Sequence, residues 1–155
     1  MANIKPFNAL RPKPEIAALV ASRPYDVLNS EEARAETNGN PSSFLHITKS
    51  EIDLPPGTDV HSQVVYNKAK ENLLKFINKD DILSREEKPC YYVYQLIMDG
   101  RSQTGLVCVS SVQDYFDNII KKHEFTRPEK EKDRIDHMQT IQAQTGNVFL
   151  AYRDV

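Results

Sequence analysis

The tetrapeptide Met98-Asp99-Gly100-Arg101 constrains this chain more than any other short stretch. It stands between "CYYVYQLI" and "QTGLVCVSS", two runs rich in aromatic and β-branched residues. Asp-Gly between such runs is a strong signal for a two-residue hairpin turn. The spacing predicts an antiparallel hairpin over residues 90–110 in which Met98 faces Arg101, Cys90 faces Val109 and Cys108 faces Tyr91. Tyr94 then lies opposite Gly105, which leaves room for its ring. Side chains alternate along a strand, so the two thiols point to opposite faces and no disulfide is expected. That agrees with a reducing compartment.

Around the hairpin, helical and strand-like stretches interleave. "NIKPFNAL" reads as a short strand. "RPKPEIAALVASRPYDV" carries three prolines and reads as loop, short helix and loop. Ser30 is placed to cap a helix over "EEARAET". "SSFLHIT" and the closing "NVFLAY" read as strands. Residues 60–78 give the clearest helix, with Val65, Ala69, Leu73 and Phe76 on one stripe and Tyr66 and Ile77 beside it. Ser111 can cap a short helix over "VQDYFDNI". The expected class is α+β (mixed α/β): a small mixed sheet with a β-hairpin and flanking helices. At 155 residues the length argues for one domain over 1–155.

The net charge of −2 and a pI near 6.1 argue against a dedicated nucleic-acid binder, which usually carries a basic face. "MANIKPFNAL" has no basic segment followed by an apolar one, and the longest apolar run, "IAALVA", is too short to span a bilayer. The chain is expected in the cytoplasm, away from membranes. No His-x-x-x-His pair or cysteine cluster offers a metal site, and nothing points to a particular cofactor.

The segment most open to function is "KKHEFTRPEKEKDR", residues 121–134, in which ten of fourteen residues are charged. Thr126 to Glu129 fits a T-x-x-E capping box with a proline at the helix start, which predicts a helix from about 127 to 144. At 100° steps, Met138 and Ile141 define an inward direction. Extending their stripe backward meets Arg134, Lys130 and Arg127, with His137 at its edge. Glu129, Lys132, Asp133 and Asp136 point elsewhere. A cation aimed inward needs a carboxylate or an anionic ligand, because burying it alone is costly. A helix N-terminus favours an anion as well. The competing reading is a solvated face laced with intrahelical ion pairs. His123 and Glu124, beside Lys121 and Lys122, offer acid–base groups. As neighbours on an extended chain they need not act together, and a lone histidine is more often a plain surface group.

"RPYD" places Arg23, Tyr25 and Asp26 in a proline-fixed loop. This is either a site loop or a tight turn in which Asp26 accepts backbone bonds. "NPSSFLHITK" offers Asn40, Ser42, Ser43, His46 and Lys49. No Gly-x-Ser-x-Gly elbow or P-loop is present to make its serines nucleophiles or its loop a phosphate cradle.

Taken in order, "IKPFNALRP", "RPYDV", "EEAR", "NPSSFLHITKSEIDLP", "MDGRSQTGLV", "IIKKHEFTRPEKEKDRIDH" and "QTGNVFLAYRD" strongly resemble the family called domain of unknown function 1015, over essentially the whole chain. Members are sometimes labelled ParB-like. That label implies a ParB/sulfiredoxin-like architecture by analogy of fold, not DNA binding. Family chains continue well beyond this length and carry an Asp-Gly-His-His-Arg-type motif downstream. The resemblance therefore implies that this chain corresponds to the N-terminal portion, with a C-terminal half as its partner. Likeness to free-serine kinases implies a phosphorylated small metabolite, such as phosphoserine or a nucleotide, as ligand of a phosphoryl-transfer or hydrolytic enzyme. On that reading Arg127, Lys130 and Arg134 hold the phosphate, with Lys122 and His137 beside them. His123 or Glu124 moves the proton, and Arg23 and Asp26 close the site. The alternatives are a ParB-like regulatory module that binds DNA or protein, and a non-catalytic structural domain. For DNA, the net +2 of residues 121–134, His123 excluded, is a thin footprint.

Overall fold

The computed structural model describes residues 2–79, 81–123 and 125–152. In chain order the elements are β1 (Ile4–Lys5), β2 (Leu10–Pro12), α1 (Ala17–Val20), α2 (Ser30–Glu36), α3 (Leu45–Thr48), α4 (Gln63–Asn78), β3 (Leu83–Arg85), β4 (Tyr92–Met98), β5 (Arg101–Val107), β6 (Val109–Ser110), α5 (Val112–Phe116) and α6 (Pro128–Ile141). Single 3-10 turns lie at Pro14–Ile16, Tyr25–Val27 and Ser50–Asp53. The class is mixed α+β. The sheet component is three separate two-stranded antiparallel ladders, β1–β6, β2–β3 and β4–β5, where one small mixed sheet was expected. Among the described residues no helix is long and apolar enough to cross a membrane.

The chain divides into two compact units, one of Met1–Pro12 with Leu83–Phe125 and the other of Lys13–Ile82 with Thr126–Val155. In the first, the hairpin forms in the predicted register, from Tyr92 opposite Val107 through Tyr94 opposite Gly105 to Met98 opposite Arg101. Asp99 and Gly100 both take positive φ, 51° and 75°, as the tight turn demands. The pairing of β4 and β5 stops at Tyr92 and Val107. Cys90 instead bridges Phe7, and Val109 pairs with Lys5. The competing edge of the N-terminal segment takes the backbone groups that a longer hairpin would have used. Both thiols are free. Tyr92 fastens this region: its hydroxyl accepts from Ala9 N–H at 3.0 Å and donates to the Phe7 carbonyl at 2.8 Å.

In the second unit, α4 supplies the core, burying Val65, Tyr66, Ala69, Asn72, Leu73 and Phe76 along one stripe. Both α3 and α6 pack on it. Four sequence expectations change here. "SSFLHIT" folds as the one-turn helix α3, not a strand, with Leu45 and Ile47 fully buried. Over four residues the two periodicities are too short to tell apart. The cap of α2 is Asn29, one residue before Ser30: Asn29 accepts from Glu32 N–H, and the Glu32 carboxylate accepts from Asn29 N–H. That frees the Ser30 hydroxyl to donate to Glu51 at 2.9 Å. Helix α6 ends at Ile141 because Gln142 turns left-handed (φ 58°) and donates its N–H to the Met138 carbonyl. Finally, "NVFLAY" forms no strand, and Val148 and Phe149 stay exposed. A strand-forming composition makes a strand only where an open edge takes its backbone groups.

Candidate functional site

The capping box foreseen at Thr126–Glu129 does not form. Arg127 is the N-cap and makes no side-chain cap bond, while Thr126 Oγ1 donates to Glu131 Oε2 at 2.7 Å. Helix α6 turns Asp133, His137 and Ile141 inward, so the buried stripe is rotated from the one expected. Lys130 and Arg127 are exposed. Their inward placement is thus corrected. The last turn was read from Met138 and Ile141, whereas His137 and Ile141 are the buried pair. A 133–137–141 stripe, in steps of four, was equally available.

Asp133 is the hub of the second unit. Its Oδ1 accepts from the Tyr66 hydroxyl at 2.7 Å and from His61 Nδ1 at 2.8 Å. Its Oδ2 accepts from Arg134 Nε at 2.9 Å and Nη2 at 2.5 Å. Burial alone would raise this carboxyl group's pKa, but the bonds from His61, Tyr66 and Arg134 and the guanidinium charge pull it down to about 2. Burial, and then the bond to Asp133, push Tyr66 well above the ordinary phenol range. The Arg134 guanidinium lies 4.4 Å over the Tyr25 ring, so its edge is fixed by Asp133 and its face by an aromatic plane.

His137 sits behind this hub at 3% exposure, with its ring edge-on to Tyr66 at 6.2 Å. Its Nε2 lies 3.2 Å from the Ile47 carbonyl, which can only accept, so Nε2 carries the proton. Burial lowers its pKa and keeps the ring neutral, and the lone pair on Nδ1 is buried without a partner. A packed, neutral histidine of this kind supports the helix and is not a free ligand contact.

The remaining predicted residues scatter. Arg23 is exposed and paired with Glu36 at 2.6 Å, whose carboxyl pKa falls below its usual value through that bond. Asp26 is exposed and accepts no hydrogen bond from another described residue, so the backbone-capping turn is not what holds this loop. Tyr25, between them, is the member of "RPYD" that reaches the hub. Lys122 and His123 belong to the first unit, where Lys122 Nζ lies 4.6 Å over the Tyr115 ring and His123 is exposed. Glu124 lies outside the described residues. Among the described residues no group of His, Cys, Asp and Glu is arranged to hold a metal ion. A shallow open hollow of about 370 Å³ on α6, lined by Met138, Gln139, Gln142, Ala143 and Gln144, contains no charged side chain and is not the chemistry-bearing region.

A second polar network lies in "NPSSFLHITKSEID". His46 Nδ1 meets Asp53 Oδ1 at 2.8 Å, and Nε2 lies 3.2 Å from the Asn40 carbonyl. Asn72 of α4 donates to Asp53 at 2.7 Å and to the His46 carbonyl at 2.6 Å. Arg34 holds the adjoining turn by donating to the carbonyls of Glu51, Ile52 and Leu54. Both ring nitrogens of His46 face acceptors, a geometry that only the imidazolium satisfies. Accordingly its pKa is raised, first by Asp53 and against the cost of burial and the charge of Lys75. A raised folded value stabilises the fold below the unfolded pKa near 6.5, and this contribution is lost as pH rises through the folded value. Thermal unfolding should therefore show a midpoint that falls as pH rises from the unfolded value near 6.5 through the raised folded one, with a flatter profile in His46→Gln. An unchanged slope in the variant would remove His46 from the account.

The family model described as "Protein of unknown function (DUF1015)" matches residues 4–155. The chain belongs to this family. No curated protein and no solved structure matches it. Both the hub and the His46 network therefore lie within the extent of the family match.

Proposed function

We propose that α6 binds a phosphorylated small metabolite through Arg134, with Lys130 one turn and Arg127 two turns before it, as the binding step of a phosphoryl-transfer or hydrolytic enzyme. The observation that carries this reading is the state of Arg134. Its guanidinium is locked in place by Asp133 and Tyr25 while its side chain remains 29% exposed. A pre-set guanidinium loses little conformational freedom when it meets a phosphate and offers charge-assisted hydrogen bonds to it. Arg127 and Lys130 lie on the same face of the helix, and neither side chain is bonded to a described residue. O-phosphoserine and a nucleotide are the first ligands to try.

A structural reading has its own support, because Asp133 collects donors from α4, from the turn before α4 and from α6 itself, and so ties these elements together without any ligand. Thermal unfolding decides between the two readings, with L-serine, O-phosphoserine, ADP, ATP and a short DNA duplex each added separately. A ligand at a hundred times its dissociation constant should stabilise the chain by about 2.7 kcal/mol. The response to O-phosphoserine or a nucleotide should disappear in the double variant Arg127→Ser/Lys130→Ser, whose exposed positions leave the fold intact. No response to any ligand favours the structural reading. A shift with DNA alone points to a nucleic-acid module.

A further inference from the structure

His61 is the most exposed of the described residues in the Asp133 hub. It lies in the turn before α4, where its backbone N–H donates to Asp59 Oδ1 at 3.0 Å and Ser62 N–H closes back on the Asp59 carbonyl. Its Nδ1 is 2.8 Å from Asp133 Oδ1. The Asp133 carboxylate is ionised and can only accept, so Nδ1 carries the proton. In the neutral ring the lone pair is then on Nε2. That atom bonds to no described residue, and the side chain is 66% exposed. His61 and Arg134 occupy the two oxygens of a single carboxylate, so an oriented base and an oriented guanidinium stand beside one another. The Tyr66 hydroxyl is committed as a donor to Asp133, and the Asp59 carboxylate accepts from the His61 backbone N–H. Neither competes for Nε2.

We propose that His61, oriented by Asp133, is the proton-transfer residue of this site and acts through Nε2 on a hydroxyl of the bound phosphorylated ligand or of the water beside it. This rests on the phosphate reading of α6 and extends it. In the step, the O–H bond breaks and its electron pair stays on oxygen. The proton forms the Nε2–H bond. The imidazolium is then held by Asp133 across Nδ1–H and later releases its proton to solvent, to which Nε2 is open. The arrangement follows the general logic of a base whose second nitrogen is fixed by a carboxylate.

The decisive measurement is the ring tautomer, read by long-range ¹H–¹⁵N correlation NMR on the whole chain above the imidazole titration, at about pH 9. Free neutral histidine prefers its proton on Nε2, and the exposed His123 serves as an internal reference for that form. The expected result is the opposite form for His61, with Nδ1 protonated and Nε2 bare. The His61 Nε2 resonance should also move when inorganic phosphate or O-phosphoserine is added. If His61 shows the Nε2–H form, the proposal is overturned. If the tautomer is as expected and the thermal response to phosphate ligands is present, but Nε2 does not move, the proton-transfer role fails and the binding reading stands. If no phosphate ligand produces a thermal response or a resonance shift, both fail together. His61→Gln, which gives up one of the three donors to Asp133, should lower the unfolding midpoint of the free chain by much less than Asp133→Ala does. A large loss of stability would assign His61 to structure and also overturn the proposal.

Discussion

Asp133→Ala is expected to destabilise the second unit by about 3 kcal/mol, the range found when one partner of a buried charge network is removed. The size follows from what is left behind. Tyr66 loses its acceptor on the buried face of α4, Arg134 keeps its charge beside Tyr25 without a counter-ion, and His61 loses the group that orients it. Tyr66 and Arg134 are donors that water reaches only in part, and an unmet donor of that kind costs more than its bond was worth. Urea unfolding should show a lower midpoint at an unchanged slope. Asp133→Asn, which keeps one acceptor oxygen and the side-chain shape, should lie between the variant and the wild type. A cost below about 0.5 kcal/mol for the alanine variant would mean that the carboxylate behaves as an ordinary surface ion-pair partner.

The same carboxylate gives this prediction a pH signature. Its folded pKa of about 2 lies below the ordinary aspartate value of 3.8. A depressed carboxylate stabilises the fold above the unfolded value, and the contribution is lost as pH falls from there through about 2. The gap corresponds to roughly 2 kcal/mol at neutral pH, given about 1.4 kcal/mol per pKa unit. Its loss on acidification should be absent in Asp133→Asn. The Asp53 carboxyl, also lowered against its own burial by His46 and Asn72, loses its contribution in the same direction, so some acid sensitivity remains in that variant.

Phe76→Ala should have the larger effect on stability, about 4 kcal/mol, as for other fully buried aromatic truncations. Phe76 is 2% exposed on the stripe of α4 that also carries Tyr66 and Asn72. The cost is lost apolar burial together with a cavity that helix packing only partly closes. Because α4 positions both polar networks, the ligand response of Arg134 and the pH slope of His46 should weaken with it. Phe76→Leu, which keeps most of the volume, should restore the larger part. Loss of stability with both networks unaffected would show that α4 is not what places them.

How far the sequence could be read depended on how local each determinant was. The hairpin register and the α4 stripe were legible because two turn residues and a 3.6-residue period specify them within a few residues of chain. The strand readings of "SSFLHIT" and "NVFLAY" failed because four to six residues carry too little period, and because a strand also depends on a distant edge. Of the site, Arg134 was legible as a charge that needs a partner. Asp133 was placed outward because Met138, not His137, was taken with Ile141 to set the helix face. Tyr25 lay in the "RPYD" loop, where Arg23 and Asp26 carry the stronger chemical signal. His61 gave no signal at all. Its partner is Asp133 on α6, far along the chain, and only the packing of α6 against α4 joins the two.

The ladders of the first unit also set an order of assembly. The hairpin joins strands separated by a two-residue turn and can close on the microsecond scale of such elements. Strand β1 pairs with β6, Ile4 opposite Ser110, so its partner lies beyond the whole of α1 to α4 in the chain. Closing so long a loop costs chain entropy before any contact repays it. During synthesis the N-terminal strands therefore leave the ribosome with no edge to join and must wait until residues 83–110 follow. The free strands β1 and β2 are thus the part of the nascent chain most in need of protection from pairing with another copy.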